Sequence, residues 1–164
     1  MKFLSDKIRQ GAADEIELLI VSVTRHHHKK FGSPIEALLF EAIVASQFCK
    51  TGKLPKIAIE GAGPGEGDWK ITPQAQVGKY RIDFLIEDEG TGVTVALECD
   101  GHDFHERTKE QAQKDRNRDR DLQAKGYLVL RYTGSEIWRD PWGCAMDIEY
   151  KMYSKMFADG EKTA

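Results

Sequence analysis

Alternating apolar and polar residues predict a β-hairpin in the middle of the chain. Apolar side chains occupy every second position from Tyr80 to Ile86, and a second strand-like run extends from Val93 to Asp100. The residues between them, 87–92, include two glycines, which accept the positive φ angles of tight turns. Folding the strands back about Gly90 places Asp83 opposite either Leu97 or Glu98. The sequence therefore predicts the hairpin and leaves two registers possible, which differ by one residue.

Helical spacing of apolar residues predicts helices on both sides of this hairpin. Ser33 and Glu36 form a Ser-x-x-Glu capping signal with Pro34 at the first helical position, so a helix is expected to begin there. A long polar helix between the hairpin and the last strand is expected to end at Gly126. The predicted helices are 3–30, 34–49, 105–125, a short turn at 135–138, and 142–157.

Three further strands complete the prediction, and they indicate an α/β fold. These are a short strand within 55–59, a strand at 69–77, and a strand at 127–132 whose continuous apolar run predicts burial on both faces. The polar helix between strands 93–100 and 127–132 fits a crossover that joins parallel strands. We therefore expect a mixed sheet flanked by helices, formed by residues 33–164, with residues 1–32 as an N-terminal helical extension.

Composition limits the possible classes of protein. A chain of 164 residues with 40% hydrophobic and 31% charged residues is typical of one globular domain. No apolar run has the length of a membrane-spanning helix, and no signal peptide is recognisable at the N-terminus. The three cysteines are widely spaced and form no CxxC pair, which favours reduced thiols and a cytoplasmic location. The net charge of −3 gives no overall attraction to nucleic acid.

The hairpin carries the candidate chemistry, because it collects three carboxylates. Glu98 and Asp100 share a face of their strand, and a register that pairs Asp83 with Glu98 brings all three within about 5–8 Å. Like charges at that distance are destabilising unless a cation lies between them. The pattern therefore predicts a divalent-metal site. The alternatives are a solvated hairpin surface and, for Asp100-Gly101, an ordinary turn.

Several motifs in order resemble the PD-(D/E)xK nuclease superfamily, particularly its very-short-patch-repair-like and restriction-endonuclease-like branch. The resemblance covers about residues 33–140. It rests on the Ser33-x-x-Glu36 helix start, on Gln74 and Gly78-x-Tyr80-x-x-Asp83, on Glu98-x-Asp100-Gly101-x-x-x-His105, and on Asp115-x-x-Arg118-Asp119-x-x-Leu122-x-x-x-Gly126 followed by Arg131.

The resemblance implies a restriction-endonuclease-like fold and a metal-dependent nuclease, with DNA as the expected substrate. It implies that Asp83 and Glu98 bind Mg²⁺, with Mn²⁺ as a substitute, and that the Cys99 carbonyl oxygen is a further ligand. Glu36 and Asp100 would complete or orient the metal shell, and Glu36 has a helix-capping role as its alternative. His105 is also a candidate catalytic residue. Gln74 would lie beside the metal and contact nucleic acid.

One departure from the superfamily pattern leaves alternatives open. The motif expects a lysine two positions after the glutamate, and this chain has Asp100 there. His105, Lys114 and Arg118 are candidates for the missing positive charge, and Lys114 and Arg118 are also candidate DNA contacts. Arg118 and Arg131 could instead be structural ion-pair partners. The alternatives to a nuclease are an inactive nucleic-acid-binding or assembly module and a structural metal-binding protein.

Overall fold

A five-stranded mixed sheet in the order β1-β2-β3-β4-β5 organises the computed structural model, which describes residues 31–59, 65–100 and 109–160. Strand β1 is parallel to β2, strands β2 to β4 are antiparallel, and β5 is parallel to β4. The predicted α/β class with helices flanking a mixed sheet is confirmed. The elements are α1 (Pro34–Thr51), β1 (Lys56–Ile57), β2 (Trp69–Val77), β3 (Tyr80–Asp88), β4 (Thr94–Asp100), α2 (Lys109–Ala124), β5 (Leu128–Thr133), α3 (Gly134–Arg139) and α4 (Pro141–Gly160).

The predicted hairpin forms between β3 and β4. Phe84 pairs with Leu97, and Ile86 pairs with Val95. This register, continued by one residue, sets Asp83 opposite Glu98, which is the second of the two registers left open by the sequence. Buried apolar residues alternate along β3, so a slip by one residue would turn this set toward the wrong face. Burial of the hairpin therefore fixes where its carboxylates lie.

Helix α1 begins where the sequence predicts and extends two residues beyond the predicted end at residue 49. Ser33 is the N-cap, and its hydroxyl oxygen accepts a hydrogen bond from the Glu36 N–H at 3.3 Å. At the other end Gly52 adopts a left-handed conformation with φ 69°, and its N–H donates to the Phe48 carbonyl. The helix packs on the sheet through the fully buried residues Leu39, Phe40, Ile43 and Val44.

The two faces of the sheet are covered very differently. Helices α1 and α4 and the sheet enclose the larger hydrophobic cluster, to which β3 contributes Phe84 and Ile86. Helix α2 contributes Leu122 to a smaller cluster with Val77, Ile82 and Ala96. No other residue of α2 is fully buried, so apolar packing alone anchors this helix weakly.

The prediction that strand 127–132 is buried on both faces is wrong. Leu128 and Val129 are half-buried, and burial alternates through Leu130 and Tyr132. Strand β5 is an edge of the sheet in the described part of the chain, and α2 covers its second face only partly. An apolar run therefore did not distinguish this edge strand from a central one.

Some predicted features lie outside the described residues. These are the helix at 3–30 and residues 101–108, which include Gly101 and the candidate residue His105. The predicted helix 105–125 is seen from Lys109 onward. Within the described ranges, no helix has the length and apolar character required to cross a membrane.

We expect Leu122→Ala to destabilise the protein by about 2–5 kcal/mol, because it removes the one fully buried side chain of α2 and leaves a cavity. Chemical denaturation followed by circular dichroism measures this loss. Gln123→Ala, at an exposed position on the same helix, is the control and should change the free energy of unfolding by less than about 0.5 kcal/mol. Equal effects of the two substitutions would contradict the packing described here.

Candidate active site

The site is built on the hairpin, where Asp83 of β3 is fixed to the backbone of β4. The Cys99 N–H donates to Asp83 Oδ2 at 2.8 Å. Asp83 itself is half-buried, and the neighbouring Glu98 is only 6% exposed. A carboxylate that accepts a backbone hydrogen bond in this way has a defined orientation. The strand pair therefore holds two acidic side chains at the rim of the core.

Four of the predicted carboxylates lie around Cys99. Burial raises the pKa of the Cys99 thiol far above its usual range, and the negative charges of Asp83, Glu36, Glu98 and Asp100 raise it further. These charges belong to three different elements, α1, β3 and β4. The structure therefore brings the predicted acidic set together.

Glu98 is the most strongly perturbed of these carboxylates. Burial raises its pKa to about 7, the guanidinium of Arg118 acts in the opposite direction, and the charge of Asp83 raises the pKa again. The Arg118 guanidinium contacts Glu98 Oε1 directly. Glu98 is thus a buried acid whose ionised form depends on a nearby cation.

Arg118 reaches the site from α2. Its guanidinium also donates to the carbonyl oxygen of Arg81 on β3, so one side chain ties the helix to the hairpin. The Arg118 side chain is 20% exposed, and its Nε is buried without a hydrogen-bond partner in the described ranges. Lys114, one turn earlier, is exposed. Of the two helix cations proposed from the sequence, the structure places Arg118 at the carboxylates.

A second arginine holds Asp100. Arg131 of β5 lies opposite Glu98 in the parallel register, and its Nη1 donates to Asp100 Oδ1 at 3.2 Å. It also forms two bonds to Asp119 of α2, Nη2 to Oδ1 at 2.8 Å and Nε to Oδ2 at 3.3 Å. Arg131 is therefore an ion-pair partner, the structural role that the sequence left open. Asp119 was not a candidate, although its position next to Arg118 in the motif was a signal.

Gln74 links the helix α1 to the hairpin. Its amide Nε2 donates to Glu36 Oε2 at 2.7 Å and lies 3.4 Å from Asp83 Oδ1. Among the described residues it is the one non-glycine with positive φ, at 51°. This conformation costs about 1–3 kcal/mol and persists where the surroundings impose it. The structure places Gln74 between two carboxylates, while its predicted contact with nucleic acid stays a prediction.

Glu36 caps α1 and faces the site at the same time. Its Oε1 accepts from the Ser33 hydroxyl at 3.0 Å, and its Oε2 accepts from the Gly32 N–H at 2.8 Å in addition to the Gln74 amide. The capping role, one of the two alternatives for Glu36, is therefore observed. Its role as a metal ligand stays a prediction.

The donor chemistry of the site suits a hard divalent cation, because all its acidic groups offer oxygen. In the arrangement described, however, guanidinium groups rather than a metal lie against Glu98 and Asp100. Within the described ranges, no three His, Cys, Asp or Glu side chains are positioned closely enough to hold an ion. Metal binding would therefore require the carboxylates or Arg118 to adjust.

We expect Glu98→Gln to stabilise the metal-free protein above pH 7, because the raised pKa of Glu98 means that burial and the charge of Asp83 disfavour its ionised form more than the Arg118 guanidinium favours it. Chemical denaturation in a chelating buffer measures the change. Glu87→Gln, which breaks the more exposed pair between Glu87 of β3 and Lys70 of β2, should cost at most about 1 kcal/mol.

A loss of stability for Glu98→Gln would contradict this expectation. It would mean that the attraction of Arg118 outweighs burial and the repulsion from Asp83 and Asp100.

Comparison with known proteins identifies one family. The model of the family described as REase_MTES_1575 matches residues 65–152, more than half of the chain. The matched stretch contains Gln74, Asp83, Glu98 and both arginines of the site, and it begins after Glu36. A search of curated proteins and a search of solved structures each found no significant match.

Proposed function

Because the chain belongs to the restriction-endonuclease-like family REase_MTES_1575, we propose that it is a divalent-metal-dependent endonuclease acting on DNA. The observation that carries this proposal is the set of four carboxylates around Cys99, with the Arg118 guanidinium on Glu98. Apolar packing alone does not require so many charged side chains in one place. Metal-dependent phosphodiester hydrolysis does require several carboxylates, because they bind the ion.

In the proposed site, Asp83 and Glu98 would hold Mg²⁺ together with the carbonyl oxygen of Cys99, and Mn²⁺ would substitute for it. Magnesium binds through a few carboxylates and keeps several waters in its shell. The bound ion would lower the pKa of a coordinated water and stabilise the leaving oxygen of the phosphodiester.

The surrounding residues position these ligands. The Cys99 N–H fixes Asp83 Oδ2, and the Gln74 amide approaches Oδ1, so the Asp83 carboxylate is oriented from both sides. Gln74 is in turn held by Glu36, whose other partners are at the start of α1. This chain of contacts supports a role for Glu36 and Gln74 in orienting the metal shell rather than in the chemical step.

We assign the charge of the missing motif lysine to Arg118. Its guanidinium is already at Glu98 and is held by the Arg81 carbonyl. A fixed cation at this point would stabilise negative charge that develops on the phosphate. Asp100, which occupies the lysine position, is neutralised by Arg131 and would support the site indirectly.

The contacts of the two arginines also favour a second candidate function. Because guanidinium groups lie against Glu98 and Asp100, the fold could persist without a metal as a nucleic-acid-binding module that has lost catalysis. Cleavage assays separate the two functions, since a binding module retains DNA affinity and shows no metal-dependent hydrolysis.

We expect millimolar Mg²⁺ or Mn²⁺ to raise the melting temperature at neutral pH, because a ligand that binds the folded state stabilises it by mass action. Asp83→Ala should abolish this shift. Asp68→Ala, which removes a carboxylate away from the hairpin's acidic face, is the matched control and should preserve it. An unchanged shift in Asp83→Ala would remove Asp83 from the metal site.

We expect Arg118→Met to slow DNA cleavage by about 10²–10³-fold, the usual cost of losing one electrostatic contact to the transition state. Lys114→Met is the control at an exposed position of the same helix and should cleave at nearly the wild-type rate. Rates are measured on supercoiled, linear and single-stranded DNA, below the melting temperature of each variant.

Gel-shift measurements with Ca²⁺ in place of Mg²⁺ separate binding from chemistry in the same variants. A full cleavage rate for Arg118→Met would overturn the assignment and make His105 the next candidate. Wild-type protein that binds DNA but cleaves none with Mg²⁺ or Mn²⁺ would favour the binding module.

A further inference from the structure

Helix α4 exposes a row of aromatic side chains. Trp142, Tyr150, Tyr153 and Phe157 are 45%, 71%, 46% and 66% exposed. Isolated exposed aromatic residues are common on protein surfaces, but a contiguous apolar patch usually marks an interaction site. The number and size of these side chains on one helix therefore indicate that α4 binds a partner.

These four residues and Met146 form one continuous face, which we call the aromatic row. At about 100° per residue the five positions fall within an arc of about 80°, and they extend over roughly 22 Å of helix. A different face of α4, which includes Ala145, Ile148 and Met152, is buried in the core of the chain. Helix α4 therefore has two apolar faces, and the fold uses one of them.

The spacing of the aromatic row is symmetric about the middle of α4. Trp142 and Phe157 are equally distant along the chain from the point between residues 149 and 150, and Met146 and Tyr153 are equally distant from it as well. An isologous two-fold interface requires such a self-complementary surface. Two antiparallel copies of α4 would place Trp142 against Phe157 of the second copy, and the two Tyr150 side chains would meet near the axis.

We propose that the occupant of this face is a second copy of the chain, packed antiparallel along α4 to form a homodimer. The aromatic row carries no charged residue, so bringing two copies together creates no like-charge contact along it. Tyr and Trp, which supply three of its five members, are the residues that most often dominate interface energetics.

The area available is sufficient for a reversible dimer. Aromatic side chains bury about 150–250 Å² each, so the exposed parts of the four rings amount to roughly 400 Å² per copy. Two copies would bury about 800 Å² through the rings alone, and flanking residues would bring the total toward the lower end of specific interfaces, roughly 1,200 Å². We therefore expect a dimer whose population rises with protein concentration.

This inference is independent of the proposed nuclease function. No member of the aromatic row belongs to the carboxylate site on β3 and β4. Loss of the dimer and loss of DNA cleavage can consequently be observed separately.

Cysteine cross-linking tests the antiparallel register. In a Cys49→Ser background, which removes the exposed native thiol, Trp142→Cys and Phe157→Cys are mixed and treated with a short bis-maleimide. The mixture should give cross-linked dimer, whereas each variant alone should not, because identical positions lie about 22 Å apart along antiparallel helices. Tyr150→Cys alone should cross-link, and the exposed position of Ser154→Cys, outside the row, is the control.

Sedimentation equilibrium on the full chain tests the association itself. Tyr150→Lys should weaken dimerisation by more than about tenfold, the effect of losing one hot-spot side chain. Ser154→Lys should leave dimerisation unchanged. Circular dichroism checks that both variants fold. If Tyr150→Lys does not fold, the cysteine variants provide the test.

Two outcomes would overturn the proposal. A wild-type chain that is monomeric at every soluble concentration would show that another segment or another protein covers the row. Efficient cross-linking of Trp142→Cys with itself would show that the two helices are not antiparallel.

Discussion

Glu98 is buried beside Asp83 and Asp100, and this buried charge accounts for the two arginines that reach the hairpin from α2 and β5. A buried carboxylate next to two others is unfavourable unless a cation or a proton offsets its charge, and the raised pKa of Glu98 expresses this cost. Arg118 from α2 and Arg131 from β5 supply positive charge that offsets it. Charge therefore adds to the apolar contact of Leu122 in holding α2 at the hairpin, whereas β5 is placed mainly by its pairing with β4.

This constraint explains the unusual composition of α2. The helix is strongly polar and has one fully buried side chain, Leu122, yet it lies against the sheet. Arg118 and Asp119 replace the missing apolar anchors, because they bind the hairpin carboxylate and the β5 arginine. An ion pair is directional, whereas apolar packing is not. The ion pairs therefore fix the rotation of α2 as well as its position.

The sequence predicted the hairpin and its carboxylates because both depend on local rules. Alternation defined β3 and β4, and burial of one face then selected the pairing of Asp83 with Glu98 from two possible registers. The bond from Arg131 to Asp119 could not be predicted, because it joins β5 to α2 through a relative placement that no local pattern encodes. The positive φ of Gln74 was missed for a similar reason, since glutamine has no intrinsic preference for it. The half-buried edge strand β5 shows that the hydrophobicity of a residue does not determine how much of it the rest of the fold covers.

The charge balance of the cluster bears on the missing lysine. Five carboxylates, from Glu36, Asp83, Glu98, Asp100 and Asp119, surround two guanidinium groups, which leaves an excess of three negative charges when all are ionised. Replacing a motif lysine by Asp100 would change the local charge by two units, and Arg131 together with Arg118 offsets that change. The two arginines therefore make the departure from the superfamily pattern tolerable without neutralising the site. Under the proposed function, the remaining negative charge is what a divalent cation between Asp83 and Glu98 would offset.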